Sequence, residues 1–515
     1  MINLSGTADN PAIMNVAGGS TGVEVTGNGT QLNIEHFIAS ITGPSSTGVQ
    51  IDGNNTQATL AGQINATDYG TGIAFTGDNV TTTATLDGVI NVTNAGTGIS
   101  VTGNNSNTST AAKNQCARPL FGGHLRAQHR PDRKNHPANS GDINVTLNGT
   151  GVMLESDNAN VSLQGNVNVT AVKDVNGVLQ PATGIVINGS KGTLKLDGNL
   201  NVGSIDIGAT RNPIAPGDLR GLVVTGSDNT INLAGTVTLQ QPGIAKGSQQ
   251  GFFTALDLSG ERNVVNVAGG VSINVDNQGA STAYGSDDLL RGINVSGPNT
   301  VTVSGKSSVS NTSASVLYGM FATASGGAQV LLDSGSELDV NFVTTSSAEY
   351  DRGTLSATGT GTQITNAGFI NAAPADRGTL MSALQGATVE SSGRIDQLGI
   401  DNDGKQATVM IAEYTGSTAR NSGSINLRST ALPVGSTGVN VMPVRWASGL
   451  AAGVLGTTGG AAVNAAGGTI TAQGAGLFNI AATGDKDNNS QLLGSCSTKA
   501  TSALMALFPS STRAG

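Results

Sequence analysis

The sequence predicts an all-β solenoid, in which short strands and tight turns recur along the chain and stack into one elongated body. Three observations predict it: apolar residues alternate with small or polar ones, Gly/Asn turns follow these runs, and the unit recurs at a regular spacing. The clearest unit is GIAFTGDN at residues 72–79, which returns 26 residues later as GISVTGNN at residues 98–105. A short strand pair with one apolar face cannot bury that face alone, so tandem copies are expected to stack.

Two phrases alternate along the chain. Gly and Asn dominate their turns because tight corners need residues that tolerate positive φ, and equivalent Asn side chains one rung apart can form amide ladders. At about 25 to 30 residues per rung, the chain predicts roughly 17 to 20 rungs. The first phrase, G-[IVL]-x-[VIF]-x-G or a near relative, begins at residues 22, 48, 72, 98, 151, 184, 221, 255 and 292. The second, L-x-G-x-[IV]-x-[VA] or a near relative, lies around Leu60, Leu86, Leu163, Leu196, Leu233, Val267 and Val303.

The repeats change character along the chain. Extra residues fall after the second strand, at 205–219 and 240–253, and we expect them to form surface loops along one edge of the coil. From residue 319 the phrases are less regular, although DRGTL at 351–355 returns at 376–380. We therefore predict five segments: regular repeats at 1–112, an anomalous basic insertion at 113–138, repeats with longer loops at 139–318, less regular repeats at 319–494 and an anomalous tail at 495–515.

The composition fits a stacked aliphatic core and disfavours several other classes of protein. The chain has 74 glycines among 515 residues, with 11% charged and 3% aromatic residues, and a core of Val, Ile and Leu needs little aromatic bulk. The 37% of apolar residues, placed with period two, argue against disorder. The formal net charge of −9 disfavours binding to nucleic acid or to an anionic membrane surface.

Residues 113–138 break the repeat pattern and admit four interpretations. The segment holds Cys116, His124, His129 and His136, with four arginines and two lysines against one aspartate. A metal site is one interpretation, but the spacing of these four residues matches no standard zinc pattern. A basic insertion that binds nucleic acid or a heparin-like polyanion is a second, and an ordinary disordered insertion is a third. We favour out-of-frame translation between two compensating shifts, because the phrases on either side begin 53 residues apart, close to two units of 26.

The tail from Ser495 shows a similar break in the pattern. It carries Cys496, so both cysteines of the chain lie in anomalous segments and the regular repeats contain none. A disulfide between Cys116 and Cys496 is not expected, because the two residues would be many rungs apart.

The phrases G-[IV]-x-V-x-G-x-N and L-x-G-x-I-N-V, with the later GFIN at 368–371, resemble the passenger region of bacterial type V autotransporter adhesins. The resemblance covers most of residues 1–494 and implies a pectin-lyase-like right-handed parallel β-helix. It also implies export, display at the outer membrane or cell surface, and roles in adhesion, autoaggregation or biofilm formation. The implied partners are other copies of the chain or host and surface ligands, protein or glycan, together with a translocator barrel in the full-length parent.

The N-terminus reads like the middle of a repeat. Residues 1–7, MINLSGT, are similar to INLAGT at 231–236, and they show neither a basic segment nor an apolar signal core. No C-terminal translocator barrel is recognisable in the sequence. We therefore expect the chain to be a fragment whose parent supplies the signal peptide and the barrel.

An enzyme is the main alternative, because β-helices of this kind include polysaccharide lyases and hydrolases. Such enzymes need a basic proton acceptor with calcium-binding carboxylates, or paired carboxylates on adjacent rungs. The candidates are Asp287 and Asp288 with Arg291, and Asp396 with Asp401 and Asp403. We interpret the first group as an acidic loop before a strand and the second as a turn, because Gly404 directly after Asp403 breaks the EF-hand spacing.

No other residue pattern predicts catalysis. His36 is the one histidine outside the anomalous segment, and we expect it to be a solvent-facing strand residue with no nucleophilic triad around it. We therefore predict that the chain is not an enzyme, that it has no catalytic or metal-binding residue and that it needs no cofactor. A polysaccharide lyase or hydrolase and a passive structural stalk remain the alternatives to an adhesin.

Overall fold

The computed structural model describes most of the chain as strands joined by short turns. Within the described residues the regular structure is all β, and none of them lies in a helix. The described residues are 1–7, 9–79, 81–86, 88–112, 141–173, 179–204, 219–242, 253–276, 290–311, 321–342, 354–372, 378–400, 407–429, 451–457, 460–473, 477–483 and 495–498.

Each coil contributes one strand to each of three parallel sheets. Sheet 1 is formed by the first phrase, whose β-branched residues alternate with small or polar ones, and each strand pairs in parallel with the equivalent strand of the next coil. Its described strands are Thr21–Val25, Thr47–Ile51, Thr71–Phe75, Thr97–Val101, Thr150–Leu154, Ala182–Ile187, Leu219–Val224, Phe253–Leu258, Leu290–Ser296, Ala322–Ser325, Leu355–Thr358, Gly378–Leu384, Ala407–Glu413, Ala451–Thr457 and Leu477–Thr483.

The second phrase bends at its glycine and forms sheets 2 and 3. Two long strands, Gln31–Thr42 and Thr56–Thr67, run through this bend and belong to both sheets. The other strands of sheet 2 are Ile2–Ser5, Thr81–Leu86, Asn107–Ala112, Asn160–Leu163, Thr193–Leu196, Thr230–Leu233, Val264–Val267, Thr300–Val303, Gln329–Leu332, Gln363–Asn366, Thr388–Ser391, Thr418–Asn421, Ala461–Asn464 and Ser495–Thr498. Those of sheet 3 are Ala12–Ala17, Val89–Val92, Asp142–Val145, Val167–Lys173, Leu200–Ser204, Val237–Pro242, Val271–Asp276, Lys306–Asn311, Glu337–Phe342, Phe369–Ala372, Arg394–Ile400, Ser424–Ser429 and Thr469–Gln473. The two-residue strand Leu179–Gln180 pairs antiparallel with the end of Val167–Lys173.

The core is a stack of aliphatic side chains inside the coils. Equivalent residues lie directly above one another: Ile73 pairs with Ile99, Ile99 pairs with Val152, and all three are fully buried. Burying such a side chain stabilises the fold by about 1.5 to 3 kcal/mol relative to leaving it exposed. The prediction of an all-β, right-handed parallel β-helix is confirmed, and right-handed crossovers are the rule between parallel strands.

The described residues form fifteen coils, counted by the strands of sheet 1, and not the 17 to 20 that we predicted. The difference arises because the later coils are longer than the early ones. Equivalent residues are 26 positions apart at Asn79 and Asn105, but 37 apart at Asn188 and Thr225. At about 4.8 Å per rung, fifteen coils make a rod roughly 70 Å long.

The segment boundaries drawn from the sequence do not mark changes of architecture in the described residues. Sheet 1 continues without a break across residue 318, from Leu290–Ser296 to Ala322–Ser325. Ser495–Thr498, which the sequence assigned to the anomalous tail, pairs in parallel with Ala461–Asn464 in sheet 2, with Cys496 opposite Ala462. Strand pairing uses backbone groups, so it can continue where the repeat pattern is no longer recognisable in the side chains.

The corner between sheets 1 and 2 is built from stacked glycines and buried asparagines. The glycine that ends the first phrase recurs as Gly189, Gly226 and Gly260, and a Cβ on Gly226 would lie 1.9 Å from the carbonyl oxygen of Gly189. Three residues after Gly226 and after Gly260, a buried Asn spans the coils: Asn263 donates from Nδ2 to Gly226 O at 2.8 Å and to Asn299 Oδ1 at 3.0 Å. The corner therefore requires both residue types for close backbone stacking.

Residues 113–138 lie outside the described residues, but the strands on either side are described. Asn107–Ala112 pairs with Thr81–Leu86 in sheet 2, and Asp142–Val145 pairs with Val89–Val92 in sheet 3. In sheet 1 the strand beginning at Thr97 pairs directly with the one beginning at Thr150. The 53-residue spacing therefore contains one coil and not two units, and that part of our length argument for out-of-frame translation is wrong.

The described strands on either side of this segment, Asn107–Ala112 and Asp142–Val145, flank the corner between sheets 2 and 3. In later coils this corner takes three residues, as in Gln164-Gly165-Asn166, and Ser140-Gly141-Asp142 matches that sequence pattern. Asp142 Oδ1 accepts a hydrogen bond from the backbone N–H of Asn166 at 2.9 Å, as Asn166 Oδ1 accepts one from Asn199 at 2.8 Å. Joining Ala112 to Ser140 would thus restore a corner of the ordinary length.

We expect deletion of residues 113–139 to leave the β-helix intact. It would give this coil the 26-residue spacing that separates Asn79 from Asn105, and shortening a loop lowers the entropy of the unfolded chain. Circular dichroism should stay β-rich and the melting temperature should not fall. Deletion of 160–173, which removes two strands of the next coil, is the control that should destabilise the protein, and equal damage by both deletions would contradict the prediction.

Candidate functional site

The outer face of sheet 1 carries a column of threonines that is interrupted by two arginines. In the strand pattern T-G-[IV]-x-[VI], the first and fourth residues are outside the core, while the third and fifth are buried. The register places Arg220, Thr254 and Arg291 at the first position of three successive coils. The same position in earlier coils is occupied by Thr21, Thr47, Thr71, Thr97, Thr150 and Thr183.

Five residues of this face form a connected polar network, which we call the arginine network: Arg220, Asp257, Arg291, Asn294 and Thr323. Arg220 Nη1 lies 3.5 Å from Asp257 Oδ2, and Asn294 Nδ2 donates to Asp257 Oδ1 at 2.8 Å. Arg291 Nη1 donates to Asn294 Oδ1 at 2.9 Å, and Thr323 Oγ1 donates to the same oxygen at 2.9 Å. The chain of contacts crosses four coils and holds both guanidinium groups in defined positions.

The arginine network places two guanidinium groups on the outer face of sheet 1. The side chain of Arg220 is 36% exposed and that of Asp257 is 21% exposed, so the network is accessible from solvent. Among the described strands of sheet 1, Arg220 and Arg291 are the residues with cationic side chains. The planar guanidinium fork is well suited to holding carboxylate oxygens such as those of Asp257.

A second charged group lies on the outer face of sheet 3. Lys306 Nζ is 3.2 Å from Glu337 Oε1 and 3.4 Å from Asp339 Oδ2. The hydrogen bond to Glu337 and the negative charges of both acids raise the pKa of Lys306. In the next coil, Asn371 Nδ2 donates to Asp339 Oδ1 at 3.1 Å. These exposed ion pairs are screened by solvent and contribute little to stability.

Two coils after Glu337 and Asp339, Arg394 and Asp396 form a tighter pair on sheet 3. Arg394 Nε donates to Asp396 Oδ1 at 2.9 Å, Asn426 Nδ2 donates to the same oxygen at 2.7 Å, and the guanidinium lies 5.1 Å from the centroid of the Phe369 ring. Burial acts to raise the pKa of Asp396, but the hydrogen bonds from Arg394 and Asn426 outweigh it, and the pKa is lowered. Asp396 is therefore an ionised carboxylate at neutral pH.

In coils that precede both charged groups, sheet 3 carries a continuous amide ladder. Each Asn donates from Nδ2 to the Oδ1 of the residue one coil earlier, at distances between 2.9 and 3.1 Å. The sequence predicted such ladders at the corners; Asn105 and Asn79 form one there at 2.9 Å, and the longer ladder lies on the sheet face. Its members are Asn65, Asn91, Asn144, Asn168 and Asn201.

The structure brings together only some of the residues that the sequence singled out. Arg291 lies in the arginine network, whereas Asp287 and Asp288 lie outside the described residues. Asp396 pairs with Arg394, whereas Asp401 and Asp403 also lie outside them. Neither proposed acidic group is therefore seen as a cluster.

The remaining candidates give no catalytic arrangement in the described part of the chain. His36 is exposed, as predicted, but it sits at a bulge within Gln31–Thr42 with a φ of 47°, where the strand passes from sheet 2 to sheet 3. Cys116, His124, His129 and His136 lie outside the described residues. Among the residues that are described, no group of three or more His, Cys, Asp or Glu side chains could hold a metal ion. The described residues also include no helix that is long and apolar enough to cross a bilayer.

Sequence reasoning missed Arg220, Asp257 and Asn294. A signal was present, because Arg220 and Arg291 each directly precede the glycine of a first phrase, where earlier copies have threonine. Their connection through Asp257 was not visible, because it depends on the register between coils of unequal length.

Comparisons with known proteins agree with the architecture. Residues 320–503 match the family described as the BigA third pectate lyase-like domain. The chain is also 30% identical, over 351 residues, to BigA of Salmonella typhimurium strain LT2, which is described as a surface-exposed virulence protein. The match covers 67% of this chain but 18% of that relative, so the chain spans a small part of its length. No solved structure matches the chain.

Proposed function

We propose, from the premise that the chain is a passenger-like domain with the pectate lyase-like fold, that it is displayed at the cell surface and acts there as an adhesin. In this proposal a parent protein exports the domain and anchors it through an outer-membrane translocator barrel. The rod then mediates attachment, autoaggregation or biofilm growth by contacts along its length. The surface-exposed description of the similar BigA protein supports the location.

The observation that carries the proposal is the presence of ordered polar groups on the outer faces of a long, regular rod. The arginine network on sheet 1 and the Lys306 and Arg394 groups on sheet 3 lie between residues 220 and 426 and are held by side-chain contacts. Weak contacts made by such groups act together when they are fixed on one body, and linked sites can raise the overall affinity by about 10² to 10⁴. A rod of this kind suits extended surface contact.

A hydrolase is less well supported by the described acidic residues. Glycoside hydrolysis needs one carboxyl group with a raised pKa as the general acid, beside a second carboxylate. The pKa of Asp396 is lowered and its oxygens accept hydrogen bonds from Arg394 and Asn426. In the arginine network, the one carboxylate, Asp257, is held by Asn294 and Arg220. These contacts fit binding better than proton transfer.

The proposal can be tested by displaying residues 1–515 on a non-adherent bacterium through a heterologous signal peptide and barrel. Attachment to abiotic surfaces and to epithelial cells, and sedimentation of standing cultures, should all exceed those of cells that carry the empty barrel. Surface levels should be matched with an antibody to a common tag. A displayed chain that behaves like the empty barrel in every assay would support a passive stalk instead.

Mixed cultures separate self-association from ligand binding. Cells that display the chain are labelled in one colour and cells with the empty barrel in another. Clumps of the displaying cells alone indicate contact between copies of the chain, whereas mixed clumps indicate a ligand on the ordinary bacterial surface.

A further inference from the structure

We propose that the later coils contain an internal water-binding site, in which Ser391 and the asparagines of the two neighbouring coils hold one buried water molecule. The inference goes beyond the proposed function, because it concerns the interior of the rod and not the outer faces that would contact a surface. It rests on a column of polar side chains that takes the place of aliphatic ones.

This polar column lies where the strands of sheet 2 end, on the side that faces the core. In the coil before it, the last residue of the strand is the buried Leu332. The strand register places Asn366 beside Leu332 and continues the column through Ser391, Asn421 and Asn464. These four polar residues are between 0% and 2% exposed. Buried polar groups are as a rule hydrogen-bonded, so each member of the column needs partners.

Two asparagines in adjacent coils satisfy one another directly. Asn421 Nδ2 donates to Asn464 Oδ1 at 2.8 Å, and Asn464 Nδ2 donates in turn to Gly468 O at 3.1 Å. An asparagine side chain is therefore long enough to span the distance between neighbouring coils in this column.

Ser391 interrupts the column because its side chain is shorter. Its Oγ accepts a hydrogen bond from Asn366 Nδ2 at 3.1 Å, but no hydrogen bond joins it to Asn421. The Oδ1 atoms of Asn366 and Asn421, in the coils on either side, are buried and have no partner in the described part of the chain. Two carbonyl oxygens that need donors thus flank one serine hydroxyl.

Turning the amide of Asn421 would not satisfy its oxygen. Besides Asn464 Oδ1, its Nδ2 lies 3.3 Å from Gly423 O and 3.3 Å from Thr469 O. All three neighbours are hydrogen-bond acceptors, so the nitrogen must stay where it is. A donor for Asn421 Oδ1 has to come from elsewhere.

A water molecule has the donors and the acceptor that this site requires. It can accept the hydrogen of the Ser391 hydroxyl and donate its own two hydrogens to the Oδ1 atoms of Asn366 and Asn421. Buried waters typically make about three hydrogen bonds to otherwise unsatisfied groups. A cation suits the site less well, because the column is uncharged and a buried charge without a counter-charge is costly.

A crystal structure of the full chain, at a resolution that shows ordered waters, tests the proposal directly. We expect electron density for one water within hydrogen-bonding distance, about 2.5 to 3.0 Å, of both Ser391 Oγ and Asn421 Oδ1. A direct hydrogen bond between these two atoms, or a site without an ordered water, would overturn the inference.

Substitution by asparagine gives a second test in solution. In Ser391→Asn the longer amide can take over the hydrogen bonds of the water and release it to solvent, so we expect the melting temperature to stay the same or rise. Its crystal structure should show the new amide in place of the water.

Ser417→Asn is the matched control. Ser417 is 1% exposed, and its Oγ already donates to Glu413 O at 2.6 Å and accepts from the backbone N–H of Gly386 at 2.9 Å. A larger side chain would overpack that site, so the melting temperature should fall by at least about 2 °C. If Ser391→Asn lowers it as much as Ser417→Asn does, Ser391 has no room for a water and the proposal is wrong.

Discussion

Replacing Gly226 with alanine is expected to lower the free energy of unfolding by at least about 3 kcal/mol, at the upper end of the cost of overpacking. The added Cβ would lie 1.9 Å from the carbonyl oxygen of Gly189 and 2.8 Å from that of Asn188. Both obstacles are backbone atoms, which move only if the stacked coils separate. Urea unfolding followed by circular dichroism at 218 nm, a wavelength characteristic of β structure, measures the loss.

Gly203→Ala is the matched control for this substitution. Gly203 lies in Leu200–Ser204 of sheet 3, and a Cβ there would be 3.3 Å from Gln240 O, a tight but adjustable distance. We expect a change within about 0.5 kcal/mol, as for most surface substitutions. Equal destabilisation by both substitutions would mean that the corner does not require close stacking.

Replacing Asn263 with alanine is expected to lower the free energy of unfolding by about 3 to 5 kcal/mol, because several buried polar groups lose their partners at about 1 to 3 kcal/mol each. Asn263 is fully buried. Its Nδ2 donates to Gly226 O, and its Oδ1 accepts from the backbone N–H and the Nδ2 of Asn229, at 2.9 and 3.0 Å. Thermal and urea unfolding should both show the loss.

Asn266→Ala is the comparison within the same coil. Asn266 is half-buried on the outer face of sheet 2, where its Nδ2 donates to Asn232 Oδ1 at 2.9 Å. Water can replace that hydrogen bond, so we expect a loss of no more than about 1 kcal/mol. If Asn263→Ala is as mild as Asn266→Ala, the buried corner ladder is not a main stabilising feature.

The sequence predicted the elements that depend on local pattern. Strands such as Thr71–Phe75 and Thr97–Val101 follow from alternating apolar residues, and their recurrence predicted parallel stacking. The glycines of the corners were recognised because turns favour them. These glycines are also positions where a Cβ would overlap the backbone of the neighbouring coil, and that constraint is visible only in the stacked structure.

Features that depend on register between distant residues could not be predicted. Arg220 and Asp257 come from different coils of unequal length, so their contact follows from strand pairing and not from sequence spacing. Asn263 reads as a polar turn residue, yet it is fully buried because stacked coils supply its hydrogen-bond partners. The single coil across residues 113–139 likewise needed the direct pairing of the strands that begin at Thr97 and Thr150.

The most direct measurement of the central claim is the attachment of cells that display residues 1–515, relative to cells that carry the empty barrel at the same surface level. If the outer faces of the rod mediate adhesion, displaying cells should attach or clump well above the empty barrel. Attachment equal to the empty barrel on abiotic, cellular and glycan-coated surfaces, with the displayed chain folded, would contradict it.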